Sequence, residues 1–342
     1  MRLAVVLFNL GGPDAPEAVE PFLRNLFTDP AIIALPAILR LPLGWLIARR
    51  RAPVARKIYD HLGGASPIFA ETRRQADALE KVLSRDGVEA KVFVAMRYWH
   101  PFSQGAARAV KAFRPDRIVL LPLYPQYSTT TTASSLKDWR RSVRRLGLKI
   151  PSARICCFPD DPGFVAASAA RIREAMADAP GNISYRLLLS AHGLPRRIIQ
   201  KGDPYQSQVE QSAAAIIKAL GMPNLEAVIC YQSRVGPLKW IGPSTDAEIL
   251  RAGADGKGVI VAPIAFVSEH SETLVELDIE YRKLAQQAGV PDYRRAATAG
   301  IHPEFIEGLA GLVRRAIDSE IVTCGPGRIC APGLKRCGHG EA

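Results

Sequence analysis

The sequence predicts an α/β fold of two Rossmann-like lobes with parallel sheets, and three observations predict it. Short apolar runs of strand length alternate with longer segments of helical periodicity along the chain. The apolar runs are continuous rather than alternating, as in strands buried on both faces of a parallel sheet. Polar, aromatic and Gly/Pro residues collect just after the runs, where open α/β sheets carry their ligands.

In the first half, runs at 3–9, 90–96 and 117–123 read as strands, separated by helix-like segments at 67–83 and 102–113. The second half repeats the pattern, with strands at 154–158, 185–191, 225–231 and 259–266. Helices are expected between them at 162–177, 204–220 and 244–252, and two long helices at 271–288 and 302–318 close the pattern. The expected division is a first lobe at 1–150, a second at 151–320 and a Cys-rich tail at 321–342, with a ligand cleft between the lobes.

At 342 residues and 37.2 kDa the chain is long enough for two domains. A chain of this size buries roughly 75% of its unfolded surface, so it needs no disulfide or metal to fold. Hydrophobic residues make up 48% and charged residues 23%, which excludes a disordered polymer. The net charge of +12 and pI near 9.6 favour an anionic partner. Basic residues come in short clusters (Arg49 to Arg51, Arg140-Arg141, Arg144-Arg145, Arg314-Arg315) with no nucleic-acid-binding motif beside them. An anionic membrane surface or an acidic small molecule fits better.

The N-terminal apolar run is short and leads into the turn Gly11-Gly12-Pro13-Asp14, so it reads as a first strand rather than a signal peptide. A cytoplasmic chain is expected. The most apolar segment, 31–48, is interrupted by Pro36, Arg40, Pro42 and Gly44, which rules against a membrane span. Trp45 and the following Arg49, Arg50 and Arg51 fit a lip at about 31–51 lying against a membrane surface, the alternative being a pair of core helices.

Two strand ends carry chemistry. The run L-L-L-S-A-H-G-L-P ends in His192, and Gly193 lets the backbone turn sharply after it. The run at 259–266 is followed by S-E-H-S-E-T-L-V-E-L-D-I-E-Y, in which Glu272, Glu276 and Glu280 recur every four residues and share a helix face. Alone, each has a plain reading: a core histidine, and a solvated acidic face. Together they offer an imidazole that accepts a proton or binds a metal, beside a carboxylate row that carries protons away. No G-x-G-x-x-G, G-x-x-x-x-G-K-[ST] or H-E-x-x-H is present, which argues against a nucleotide cofactor and a zinc protease.

The motifs L-F-N-L-G-G-P-D, G-G-A-S-P-I, M-R-Y-W-H-P, Y-P-Q-Y-S-T-T-T, S-A-H-G-L-P, K-G-D-P-Y, Y-Q-S-R-V-G-P-L-K-W-I-G-P-S-T-D and P-I-A-F-V-S-E-H-S-E-T-L-V-E-L-D-I-E-Y together resemble ferrochelatase, in that family's order. The resemblance implies porphyrin bound between the lobes. It also implies the reaction: Fe²⁺ enters protoporphyrin IX, two protons leave, and protohaem forms, the last step of haem biosynthesis.

Residue roles follow from the same resemblance. His192 and Glu272 match the catalytic pair that meets the substrate iron, and Glu276, Glu280, Arg97 and Tyr98 match its proton or metal path. Leu10, Tyr59, Tyr124, Thr130, Tyr205 and Trp240 match positions around the macrocycle, with Arg50 and Arg51 near its propionates. Thr130 stands where some relatives have serine. The acidic helix is expected to carry a π-type widening.

Six cysteines, Cys156, Cys157, Cys230, Cys324, Cys330 and Cys337, are expected as thiols or ligands rather than disulfides. The Gly/Pro-rich tail that holds three of them would gain order from a metal clip. Some ferrochelatases hold a [2Fe–2S] cluster on three C-terminal cysteines and one interior cysteine. Here the set would be Cys324, Cys330, Cys337 and Cys157, or its neighbour Cys156. The tail spacing differs from the vertebrate pattern, and the interior vertebrate ligand falls where this chain has Thr129. A zinc site using His339 and an unliganded tail are the alternatives. For the whole chain the alternatives are a same-fold chelatase acting on coproporphyrin III or cobalt, and a tetrapyrrole carrier without catalysis. The motifs do not encode an oligomeric state, and they place the chain in the cytoplasm, peripherally on the inner membrane.

Overall fold

A computed structural model of the chain describes residues 1–340 apart from Asp86, Val235 and Pro237. It divides into two compact units, one of residues 1–123, 128–156 and 310–322, the other of residues 124–127, 157–309 and 323–342.

The first unit is built on a five-stranded sheet. Its strands are β1 (Arg2–Asn9), β2 (Glu89–Met96), β3 (Arg117–Pro122), β4 (Ser152–Cys157) and β9 (Ile321–Thr323), ordered β2-β1-β3-β4-β9. The β1–β2, β1–β3 and β3–β4 pairs are parallel. Residues Leu3 to Asn9 of β1 are buried without a break, as a central strand covered on both faces requires. Phe8 meets Trp139 of the helix Thr132–Arg145 edge to face at 5.8 Å. The sequence reading put the run at 154–158 in the second half, but β4 pairs Ser152 with Ile118 of β3. The helix Thr132–Arg145 is an ordinary crossover, and it returns the chain beside the strand it left.

The apolar segment becomes one helix, Ala37–Asp60, with Pro42 and Pro53 inside it. Its buried positions are small: Gly44, Ala48 and Ala52, with Tyr59 beyond. A Cβ at Gly44 would lie 2.6 Å from the Phe27 carbonyl oxygen, so only glycine lets this helix approach Val19–Phe27 so closely. The other face is apolar and open: Ile38 is 82% exposed, and Leu39, Leu41, Leu43, Trp45 and Leu46 are exposed beside it. Among the described residues, no helix is long and apolar enough to cross a membrane.

The second unit holds a four-stranded parallel sheet of β5 (Tyr185–His192), β6 (Glu226–Gln232), β7 (Gly258–Pro263) and β8 (Tyr293–Arg295), ordered β6-β5-β7-β8. Chain order reverses direction between β5 and β7, and the crevice beyond the C-terminal ends of such a pair is where doubly wound sheets bind ligands. His192 closes β5, and the segment after β7 leads into a π-helix, Glu272–Glu280, which continues as the α-helix Tyr281–Gln287. The widening expected from the family resemblance is therefore present. Beneath the sheet, fully buried Arg186 is held by Glu226 at 2.7 Å and Asp255 at 2.7 Å. The C-terminal tail packs in this unit, where Arg336 N–H donates to the Gly202 carbonyl at 3.1 Å. Gly338 lies so close to the Tyr127 ring that a Cβ would come within 2.1 Å of it.

Candidate active site

His192 and Glu272 are brought together in the second unit, Nδ1 lying 3.1 Å from Glu272 Oε2. Strand order explains the contact: β5 delivers the imidazole, and the π-helix starting after β7 delivers the carboxylate beside it. Gly193 is required here, because its N–H donates to the Gln232 carbonyl at 2.8 Å and a Cβ would crowd that same oxygen. Tyr205, buried, fixes the strand end by donating its hydroxyl to the His192 carbonyl at 3.0 Å.

Glu276 lies one turn along the π-helix. Its Oε1 accepts from the Ser233 backbone N–H at 2.7 Å and from the Tyr281 hydroxyl at 3.2 Å. Its Oε2 accepts from Gln232 Nε2 at 3.0 Å and from the Ser233 hydroxyl. Ser233 reaches both oxygens from a left-handed backbone conformation, φ 59°, which a non-glycine residue holds only when its surroundings enforce it. Glu280 is exposed at the end of the row.

These contacts push the two carboxylates apart in acidity. Burial alone would raise Glu272, but the charge and hydrogen bond of His192, with contacts from His270, hold it far below the usual range. Burial raises Glu276, and the charge of Glu272 raises it further. Burial would lower His192; the charge and hydrogen bond of Glu272, with Glu276 behind, outweigh it and raise the imidazole above its ordinary 6.5. Adjacent carboxylates separated in this way take different proton-handling roles.

Sequence reasoning passed over His270. Its Nδ1–H donates to the Ser268 carbonyl at 3.0 Å, which turns Nε2 toward Glu272 Oε2 at 3.6 Å. The Phe266 ring stands between the imidazoles, 6.2 Å from His192 and 4.7 Å from His270. The signal was in plain view, as the third residue of S-E-H-S-E, but a histidine in a loop carries no spacing of its own.

In the first unit, Arg97 and Tyr98 converge on Asp29, which is buried. Asp29 Oδ2 accepts from Arg97 Nη2 at 2.6 Å, the Tyr98 hydroxyl at 2.8 Å and the Ser134 hydroxyl at 2.6 Å. Burial would raise the Asp29 pKa; the Arg97 charge and these donors lower it instead. Tyr98 is fully buried, and burial with the Asp29 charge raises its phenol well above the ordinary range. Of the remaining expected positions, Leu10, Tyr124 and Trp240 are half-buried, Arg50 and Arg51 exposed, and Tyr59 and Thr130 buried. The Thr130 hydroxyl pairs with the Ser128 hydroxyl at 2.8 Å.

Four of the cysteines gather in the second unit. Cys330 and Cys337 are hydrogen-bonded to each other, which with burial raises the Cys330 thiol far above its usual range. Cys324 N–H donates to the Cys157 carbonyl at 3.2 Å, and the Cys324 thiol donates to Asp160 Oδ1 at 2.7 Å. Buried Gln208 joins the two pairs, its Nε2 donating to Cys157 Sγ at 3.3 Å and to Cys330 Sγ at 3.1 Å. Among the described residues, no three or more His, Cys, Asp or Glu side chains are arranged around a single metal ion. Two thiol pairs are the donor set that a binuclear iron–sulfur centre takes, two thiolates to each iron.

The family model for ferrochelatase matches residues 2–317. The chain belongs to the ferrochelatase family. It is 54% identical over 339 residues to a ferrochelatase of Caulobacter vibrioides, covering 98% of this chain and 95% of that one. It is 55% identical over 340 residues to a ferrochelatase of Phenylobacterium zucineum, covering 98% of each. The sirohydrochlorin chelatase SirB of Bacillus subtilis in complex with cobalt shares the fold at a TM-score of 0.54, with 14% identity over 94% of this chain and 97% of that one. A second SirB structure, with Fe³⁺, gives 0.53, 14% identity and coverage of 93% and 96%. The activity is that of a ferrochelatase, a lyase whose substrates are a porphyrin and ferrous iron.

Proposed function

We propose that the porphyrin is protoporphyrin IX, and that His192 is the base which takes its pyrrole protons. The observation carrying this is the 3.1 Å contact of His192 Nδ1 with Glu272. A carboxylate there holds the proton on Nδ1 and leaves the Nε2 lone pair free to accept one, with its basicity raised. Metal insertion replaces two N–H protons by one Fe²⁺. Glu272, held ionised, balances the imidazolium and meets the metal, while Glu276, whose pKa is raised, receives protons and passes them toward exposed Glu280. Ring bending to expose nitrogen lone pairs costs roughly 1–5 kcal/mol, drawn from binding energy at the ring periphery. Leu10, Tyr124 and Trp240, with Arg50 and Arg51 for the propionates, have surface to give to that periphery. Buried Tyr59, Tyr98, Thr130 and Tyr205 support such groups from behind, and Arg97 extends the metal or proton path.

The open apolar face of Ala37–Asp60 supports attachment of this cytoplasmic chain to the inner membrane, since Ile38 and Leu41 would enter the headgroup boundary with Arg49 to Arg51 near anionic lipid. An apolar lip also suits protoporphyrin better than coproporphyrin III, which carries four carboxylates. Zn²⁺ and Fe²⁺ insertion measured on both porphyrins tests the reading. Faster turnover of protoporphyrin supports it; faster turnover of coproporphyrin, or of cobalt over iron, replaces it, and no insertion at all leaves a carrier.

The two thiol pairs support a [2Fe–2S] cluster on Cys157, Cys324, Cys330 and Cys337, with sulfur ligands of the type such clusters take. Cys157 is favoured over Cys156 because its sulfur is the one that shares Gln208 with Cys330. Ligation takes the Cys324 thiol proton, so the Asp160 contact belongs to the metal-free chain. When bound, such a cluster supplies a one-electron redox centre. A visible spectrum and acid-labile sulfide in anaerobically purified protein support the cluster, and a colourless, sulfide-free preparation refutes it.

A further inference from the structure

We infer that Gln208 is a positioning and tuning residue for the cysteine quartet, a role that rests on the cluster reading above. Gln208 is buried on the helix Tyr205–Leu220, and its amide is oriented without ambiguity. The Tyr127 backbone N–H donates to Oε1 at 2.7 Å; an N–H cannot face the amide nitrogen, so the NH₂ group must point the other way. That direction leads to Cys157 Sγ at 3.3 Å and Cys330 Sγ at 3.1 Å, one sulfur from each thiol pair. Both N–H groups of the amide are therefore spent on sulfur, and nothing else is asked of them.

A buried glutamine so placed is poorly explained by packing alone. Neutral thiols are weak acceptors, and burying an amide for two such bonds returns little. Thiolates bound to iron are far stronger acceptors, and the same contacts become charge-assisted. Hydrogen bonds to cluster sulfurs are one of the factors that set the reduction potential. Adding one electron makes the cluster more negative, so N–H donors stabilise the reduced form more than the oxidised form and raise the potential. Because Tyr127 belongs to the Y-P-Q-Y motif and contacts Gly338 of the tail, one backbone N–H fixes the donor that joins the interior cysteine to the C-terminal ones.

The test uses full-length protein purified anaerobically, as wild type, Gln208→Leu and Gln208→Glu. Iron, acid-labile sulfide and the visible spectrum are measured first, then the midpoint potential of the one-electron couple under dithionite titration. Pulsed electron paramagnetic resonance in H₂O and D₂O reports exchangeable protons coupled to the reduced cluster. The expected result is a reduction equilibrium at least tenfold less favourable in both variants, about 59 mV for one electron, with loss of coupled exchangeable protons in Gln208→Leu. Should Gln208→Leu fail to hold iron, Gln208→Glu, which keeps the side chain's shape, gives the reading. A cluster present with unchanged potential and unchanged proton coupling overturns the role of Gln208 while leaving the cluster standing. A colourless wild type overturns both.

Discussion

His192 shows how far a single contact can redirect a side chain. Burial disfavours its charged form, yet the neighbouring Glu272 carboxylate outweighs burial and the pKa rises above 6.5. In the metal-free protein, an NMR titration of the His192 ring should therefore give a pKa above 6.5, and Glu272→Gln should bring it down. An unshifted value in the wild type contradicts the pairing. The sign for stability follows: the pair's contribution is complete below the unfolded pKa of His192 and fades as pH rises through the raised folded value. His192 and Glu272 were legible because the sequence offered an imidazole and an acid at strand ends. Asp29, His270 and Gln208 were not. Each lies in a segment with no periodic or motif signal of its own, and its importance arises only from what folding places around it.

Among the elements, continuous apolar runs made most strands readable, and helical spacing located the helices to within a few residues. Which sheet a strand joins is not written in its periodicity, and so the run containing β4 fell in the wrong half. The π-helix is similarly silent in spacing, since acids four apart share a face in either helix type; the family resemblance supplied it. The helix Ala37–Asp60 is fixed by its small face, so Ala48→Leu should cost about 1–3 kcal/mol by overpacking against Val19–Phe27, seen as a lower melting temperature. An unchanged melting temperature would mean that the two helices separate readily. Beneath the second sheet, Glu226 is held at about 2 by hydrogen bonds from Arg186 and Lys257, against an ordinary 4.5. Its stabilisation is present above 4.5 and is lost as pH falls toward about 2. Urea midpoints measured across that window should fall less steeply for Glu226→Gln than for wild type.

At the scale of the molecule, one chemical task accounts for the second unit's polar interior: accepting two protons while a divalent metal takes their place. The β5–β7 order brings an imidazole to a carboxylate, a second carboxylate takes up the displaced charge, and exposed Glu280 ends the row. The open lip on Ala37–Asp60 makes a separate prediction. Ile38→Glu with Leu41→Glu should reduce sedimentation with anionic vesicles severalfold while leaving insertion into detergent-dispersed porphyrin unchanged; undiminished sedimentation would remove the lip from membrane attachment. The most direct trial of the chemistry is the steady-state rate of Fe²⁺ insertion by His192→Ala and by Glu272→Gln, with circular dichroism to confirm the fold. A fall of about 10²–10⁴-fold in each is expected for loss of a proton-transfer group. Wild-type turnover in a correctly folded His192→Ala variant would show that the pyrrole protons leave by another route.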